Sequence, residues 1–151
     1  MAIFPNRIPD LEVIFPKLAF TDYKVTSPRD QNYNCIAWAA GINQQWWEPD
    51  FMGQYFWPAE VPRIYTLDAY VQAYSVLGYK ICDSFDYEQG FEKIVIYVNM
   101  SNEPTHAARQ LQSGKWTSKL GREYDISHDF ESLNGDIYGM PAVCMKRPSV
   151  D

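Results

Sequence analysis

One cysteine and one histidine in this 151-residue chain have the local sequence that a thiol nucleophile and its base would need. Cys35 follows Asn34, a good N-cap residue, and opens an apolar run that ends at Gly41, which predicts a short helix with the thiol in its first turn. The free N–H groups and the dipole at that end of a helix favour a thiolate. His106 begins a predicted strand, and a sheet packed against the helix would bring its imidazole to the sulfur.

Two stretches of sequence around these residues carry a family resemblance. The first is NCIAWA at 34–39, and the second is THAARQ at 105–110 followed by GKWTSKLG at 114–121. A cysteine on a first helix, then a helix, then a histidine on a strand resembles the compact bacterial members of the papain-like superfamily, the NlpC-type peptidases. The second stretch is similar to a pattern of uncharacterised papain-like domains, in which His-x-x-Arg precedes Gly-x-Trp-Ser-His-Lys-x-Gly. The resemblance covers residues 33–121.

The resemblance implies a Cys-dependent hydrolase or transferase acting on amide bonds, as a peptidase, amidase or deamidase. Cys35 would attack the carbonyl, and His106 would deprotonate the thiol and protonate the leaving amine. The third polar residue of the family lies on the next strand, where this chain has Ser118, which supplies no negative charge. Three alternatives stay open: a pair weakly assisted by Ser118, an orienting residue from Asp125 or His128, or a decayed site.

Four further residues are candidates for oxyanion stabilisation or substrate binding. Gln31 and Asn34 precede the nucleophile, whose own backbone N–H would be the first oxyanion donor. Trp38 and Trp47 are the aromatic candidates for contacts with a peptide, protein or amide substrate. Each has a structural alternative, since polar residues are common in a turn before a helix and tryptophans pack within their own loop. Cys35 itself could be a buried, inert thiol.

The composition limits the classes of partner. The net charge is −6 and the sequence pI is about 4.8, with no basic stripe, so nucleic acid and anionic membranes are disfavoured. Aromatic residues make up 16% of the chain, enough for a lined cleft or a protein-binding surface. Pro5, Pro9 and Asp10 interrupt the N-terminal apolar stretch, so we predict no signal peptide and a cytoplasmic protein, unless it is delivered without a cleaved signal.

Cofactor and metal chemistry have little support in the sequence. The odd number of cysteines, at 35, 82 and 144, indicates reduced thiols rather than a disulfide framework. His128 lies near Asp125 and Asp129, but a second cluster of metal ligands is missing, so we predict no metal. Glycines never approach the spacing of a phosphate-binding loop, and we predict no cofactor.

The patterns predict an α+β fold of the papain-like, NlpC-type kind, formed by a single domain over residues 1–151. Prolines make 1–33 an extended N-terminal segment, and Thr66 begins a second helix that Gly78 ends. Strands are predicted at 79–82, 93–98, 105–111, 115–120 and 142–146. The helices would then pack on one face of a mainly antiparallel sheet of about five strands. The alternative function on this scaffold is a catalytically silent binding module, such as an immunity or accessory protein.

Overall fold

One antiparallel sheet of seven strands organises the part of the chain that the structure, a computed structural model, describes, which is residues 7–149. The strands are β1 (Lys24–Ser27), β2 (Lys80–Cys82), β3 (Phe91–Val98), β4 (Pro104–Gln110), β5 (Trp116–Lys119), β6 (Asp125–His128) and β7 (Met140–Pro148). Their order across the sheet is β1-β6-β5-β4-β3-β7-β2. The helices are α1 (Pro9–Ile14), α2 (Cys35–Ala39) and α3 (Leu67–Val76), with a 3-10 turn at Pro16–Phe20.

The centre of the sheet follows from one apolar run. Within β3, the four residues Ile94–Tyr97 are all buried, because β4 and β7 flank the strand and both of its faces are covered. A continuous apolar run of β-branched residues is typical of such a central strand, and this prediction is confirmed. Successive residues then point to opposite faces of the sheet.

The two faces of the sheet have separate cores. On the helical face, α2 and α3 pack against side chains that include Ile94, Ile96 and Ala107. On the opposite face, Val95, Tyr97, Ala108 and Trp116 form a second cluster, against which Phe85, Phe130 and Tyr138 pack. Neighbouring residues of one strand therefore belong to different cores.

The predicted papain-like α+β fold is wrong. The sheet has seven strands rather than about five, and the helices are few and short, with five residues in α2 and ten in α3. Two strands, β1 and β6, have only four residues each and alternate too weakly for their sequence to indicate them. The two helix starts were predicted correctly, because Asn34 and Thr66 cap α2 and α3 with their side chains.

The N-terminal segment is also more regular than predicted. Pro9 occupies the first turn of α1 and Pro16 the first position of the 3-10 turn, where a missing N–H does not matter. Residues 1–6 of the predicted extended segment lie outside the described part of the chain. Between residues 7 and 149, no helix combines the length and apolar character that crossing a membrane requires.

Candidate functional site

Cys35 is the first residue of α2, as the sequence predicts. The Asn34 side chain caps the helix by accepting a hydrogen bond from the backbone N–H of Ala37 at 3.2 Å. The helix lies over β4 and β5, and Cys35 packs at the border of the helical-face core. The thiol is therefore placed at a helix N-terminus, against the middle of the sheet.

The thiol at this position is neutral near pH 7. Burial raises the pKa of Cys35 to about 11, and the backbone of Ala107 lowers it only in part. A helix of five residues has a short dipole, so desolvation of the thiolate outweighs the favourable N-terminal field. Cys35 lacks the depressed pKa of a reactive cysteine.

His106 lies on the opposite face of the sheet. Its cross-strand partner is Tyr97, and its ring stacks on Tyr138 with 3.9 Å between centroids and 6° between planes. The side chain is fully buried, and neither ring nitrogen has a hydrogen-bond partner among residues 7–149. Burial, reinforced by the nearby His128, holds the pKa of His106 well below its usual range. The imidazole is therefore neutral.

The structure does not bring Cys35 and His106 together. Ala107, the next residue along β4, belongs to the helical-face core that Cys35 borders, and strand alternation turns His106 away from it. The contacts of the imidazole are aromatic rings on the other side of the sheet. A thiolate–imidazolium pair is absent from this conformation of the described residues.

Ser118 and His128 form their own buried pair. Ser118 Oγ lies 2.7 Å from His128 Nε2, and His128 Nδ1 lies 2.8 Å from the backbone carbonyl of Asp129. Because a carbonyl only accepts, Nδ1 carries the proton and Nε2 accepts from the Ser118 hydroxyl. Burial lowers the pKa of His128 to about 4. Ser118 therefore orients His128 rather than His106, and both side chains are fully buried.

Asp125, the remaining candidate for an orienting residue, lies on the helical face. Its carboxylate accepts hydrogen bonds from the hydroxyl groups of Tyr33, at 2.6 Å, and of Thr26. Asp125 is fully buried, and it connects the chain before α2 to strand β6. Asp125 is thereby separated by the sheet from both histidines.

The proposed oxyanion and substrate residues serve local structure. Gln31 is exposed in a bend, whereas the Asn34 side chain is buried and makes three hydrogen bonds. Besides capping α2, it accepts from the N–H of Trp47 at 3.0 Å and donates to the carbonyl of Trp47 at 2.7 Å. Trp38 donates to the Thr117 hydroxyl at 2.9 Å, and Trp47 is buried against Phe56 and Trp57.

Two basic residues on the helical face have contacts that sequence reasoning missed. The guanidinium of Arg109 lies over the Trp38 ring at 5.3 Å. Lys119 is fully buried and donates to the carbonyls of Asp30 and Gly121 at 2.6 and 2.8 Å, with the Tyr33 ring 4.8 Å away. Strand alternation predicts that Arg109 and His106 lie on opposite faces, but it does not predict which of the two faces α2 covers.

A surface feature that the sequence analysis did not find borders the segment 129–140. Three concavities of about 430, 490 and 610 Å³ lie along this segment, and each shares lining residues with the next, first Lys17 and then Gly135 and Asp136. We call them together the groove. Its exposed apolar side chains are Val13, Ile14, Phe20, Met100, Ile137 and Met140. The sequence signal was weak, because these residues come from three separate segments.

Together these observations define a predominantly antiparallel β domain with a half-buried neutral thiol at Cys35 and an apolar surface groove. The chain belongs to the family described as a domain of unknown function, DUF7689, which matches residues 24–146. Neither a curated protein nor a solved structure is significantly similar to it. Membership of this family neither supports nor opposes the resemblance to NlpC-type peptidases. Within residues 7–149, no three His, Cys, Asp or Glu side chains converge as metal ligands would.

Proposed function

We propose that this domain acts by binding a protein partner in the groove, and that Cys35 has no catalytic role. The observation that carries the proposal is the series of three adjoining concavities along one segment, lined by exposed apolar side chains. Exposed apolar side chains concentrated in one region of a protein surface commonly mark an interaction site. Other large apolar side chains are also exposed, among them Phe51, Met52 and Ile64, but they lie outside these concavities.

The charge around the groove indicates the chemistry of the partner. Glu131 and Asp136 are exposed at its rim together with Lys17, so negative charge is in excess there, and the whole chain carries a net charge of −6. An excess of negative charge around apolar contacts fits a partner surface with apolar side chains flanked by Lys or Arg. Such complementarity accelerates association and selects between partners.

The groove is preformed by backbone contacts. Gly135 and Gly139 exchange two backbone hydrogen bonds, at 3.0 and 2.8 Å, which close the loop that carries Ile137. The loop also packs against the end of β3, since a Cβ on Gly139 would lie 1.9 Å from the carbonyl oxygen of Val98. A preformed groove loses little conformational entropy on binding, which favours affinity.

The state of the thiol supports a non-catalytic role. A cysteine nucleophile reacts as the thiolate, and a pKa of about 11 leaves Cys35 protonated near neutral pH. The base expected beside it is neutral and stacked on Tyr138 across the sheet. A binding domain needs neither group ionised.

Selection of peptides from a displayed random library tests the binding proposal. We expect the immobilised domain to select apolar sequences flanked by basic residues, with binding that weakens as salt rises. Ile137→Asp should abolish this binding, because it places a charge in the groove. Phe51→Asp is the matched control, since Phe51 is 92% exposed and lies outside the three concavities. Peptides that bind both variants equally would refute the groove as the binding site.

A Cys-dependent amide hydrolase or transferase is a second candidate, favoured by one observation in β4. Tyr97 pairs with His106 while Val98 pairs with Pro104, so Thr105 is an extra residue in a bulge beside the histidine. A bulge changes the face of the sheet to which neighbouring side chains point. A shift of the bulge from Thr105 to the other side of His106 would turn the imidazole to the face on which Cys35 lies. The unpartnered ring nitrogens of His106 are compatible with such a second arrangement.

The pH dependence of alkylation at Cys35 separates the two candidates. For the binding domain we expect slow reaction at pH 7 in the fully reduced protein, compared with the rate of free glutathione under the same conditions. Fast reaction below pH 7 that is lost in both His106→Ala and His106→Phe would overturn the proposal in favour of the hydrolase. Using both variants separates the loss of the base from the loss of packing.

A further inference from the structure

Cys82 and Cys144 lie directly opposite each other on neighbouring strands. Strand register pairs Cys82 of β2 with Cys144 of β7, and their Sγ atoms are 2.8 Å apart as free thiols. Directly opposite residues of antiparallel strands have Cα atoms about 4.5–5.5 Å apart, which lies within the range that a disulfide spans. The backbone is therefore already arranged for a bond between the two sulfurs.

The exposure of the two sulfurs determines which of them an oxidant reaches first. Cys82 is half-buried on the edge strand β2, which pairs with β7, whereas Cys144 is buried. Burial and the neighbouring Cys82 thiol raise the pKa of Cys144, which the ammonium groups of Lys93 and Lys146 offset only in part, so Cys144 is the poorer first nucleophile. Cys82 is then the sulfur that a reagent reaches first, and Cys144 the one that follows.

We infer that Cys82 and Cys144 form a reversible dithiol–disulfide site that reacts with low-molecular-weight disulfides of the glutathione type. The Cys82 thiolate attacks the small disulfide, forms a mixed disulfide and releases one thiol. Cys144 then attacks the Cys82 sulfur and releases the second thiol. The protein loses two hydrogen atoms and the small disulfide gains them, so the exchange balances without another reactant.

The bond would fix the edge of the sheet and the loop that follows it. Both sulfurs approach the Ser84 carbonyl, at 3.6 Å from Cys82 and 3.2 Å from Cys144. The buried Lys93 ammonium donates to the same carbonyl and to that of Asp86, at 2.8 and 2.7 Å. Oxidation would therefore attach β2 covalently to β7 at the start of a loop that the interior of the sheet already holds.

The third thiol lies away from this pair. Cys35 is on the helical face over β4 and β5, and Cys144 pairs with Val95, a residue of the opposite-face core. The sheet separates it from both other sulfurs. Cys35 therefore serves as an internal reference that should stay reduced while the pair oxidises.

Equilibration of the folded protein in buffers of reduced and oxidised glutathione, followed by alkylation and peptide mapping, tests the inference. We expect an intramolecular Cys82–Cys144 bridge in the parent and in Cys35→Ser, and a glutathione adduct on Cys82 in Cys144→Ser. The oxidised parent should melt roughly 5–10 °C above the reduced parent, because the bridge closes a long loop. Cys82→Ser, a change of one atom in size that cannot form the bridge, should show no such difference.

Three results would overturn the inference. The first is independent alkylation of both thiols after equilibration in oxidising buffer. The second is a bridge that forms only in denaturant or between two molecules, and the third is a bridge to Cys35. Peptide binding in the groove is a separate measurement, and its outcome leaves this test unchanged.

Discussion

His106 combines full burial with two ring nitrogens that lack partners among residues 7–149. An unsatisfied buried polar atom is destabilising, whereas the flat stacking on Tyr138 and the edge contact with Tyr97 are favourable. His106→Phe keeps the ring and removes the polar atoms. We expect the free energy of unfolding, measured in urea, to stay equal or to rise by about 1 kcal/mol.

The matched variant for this position is His106→Ala, which removes the ring altogether. It should lower the free energy of unfolding by about 2–4 kcal/mol, because it leaves a cavity beside Tyr138. If Phe proved as destabilising as Ala, the ring nitrogens would have to make favourable interactions that stacking does not explain.

The depressed pKa of His128 makes stability depend on acid pH. Burial lowers it from 6.5 to about 4, so between these values the unfolded chain binds a proton that the folded chain does not. The contribution of His128 to the free energy of unfolding is therefore fully present above pH 6.5. It is lost as the pH decreases towards 4, and the loss amounts to up to about 3 kcal/mol. His106 acts in the same direction.

Urea unfolding at pH 7 and pH 4.5 measures this dependence. His128→Asn removes the titrating group, and we expect its stability to change less between the two pH values than that of the parent. The same difference in both proteins would show that other groups dominate the acid response.

At the scale of elements, Asn34 joins α2 to the loop that carries Trp47. Its side chain accepts from two backbone N–H groups and donates to one carbonyl, all in a buried setting. Asn34→Ala should lower the free energy of unfolding by about 2–3 kcal/mol. Thr66→Ala, which removes only the single cap of α3, is the control and should cost about 1 kcal/mol. Equal losses would contradict the connecting role of Asn34.

Gly139 holds the groove loop against β3. A Cβ there would lie 1.9 Å from the Val98 carbonyl oxygen, and the residue has a φ of +78°. Gly139→Ala should lower the free energy of unfolding by roughly 3 kcal/mol or more, because backbone must move. Gly90→Ala has a similar positive φ but open space, and should cost about 1 kcal/mol. Similar losses of unfolding free energy for the two variants would show that the loop can move away from β3 at little cost.

The helices and the strand that were predicted correctly are those with strong signals in their own local sequence. The capping residues Asn34 and Thr66 predicted the starts of α2 and α3, and the apolar run of β3 predicted the central strand. Strand β6 has the sequence DISH, and its polar residues are buried only because partners from distant segments meet them. Those partners are Tyr33 and Ser118, which no local pattern connects with β6.

The candidate site was predicted in part. The start of the helix at Cys35 was correct, but its partner was placed by assuming which face of β4 the helix covers. Alternation puts His106 and Arg109 on opposite faces, and Arg109 contacts Trp38 of α2. The face that a helix covers depends on packing of the whole sheet, which sequence spacing does not determine.

At the scale of the whole molecule, strand order predicts where the fold opens first. β3, with a partner on each side, should exchange its amide hydrogens slowest, and the edge strands β1 and β2 fastest. Hydrogen exchange followed by mass spectrometry measures this gradient. Oxidation of the Cys82–Cys144 pair should slow exchange in β2 while leaving β1 unchanged. Equal slowing in both strands would indicate a global effect instead.

The position of β1 at one edge has a consequence for synthesis. Its residues Lys24 and Val25 pair with Ser127 and Ile126, and the nearby Tyr33 bonds to Asp125. A ribosome completes the first of these segments long before the second leaves its exit tunnel. We therefore expect the beginning of the described chain to remain without its native partners during most of translation, so that the sheet closes only after β6 emerges.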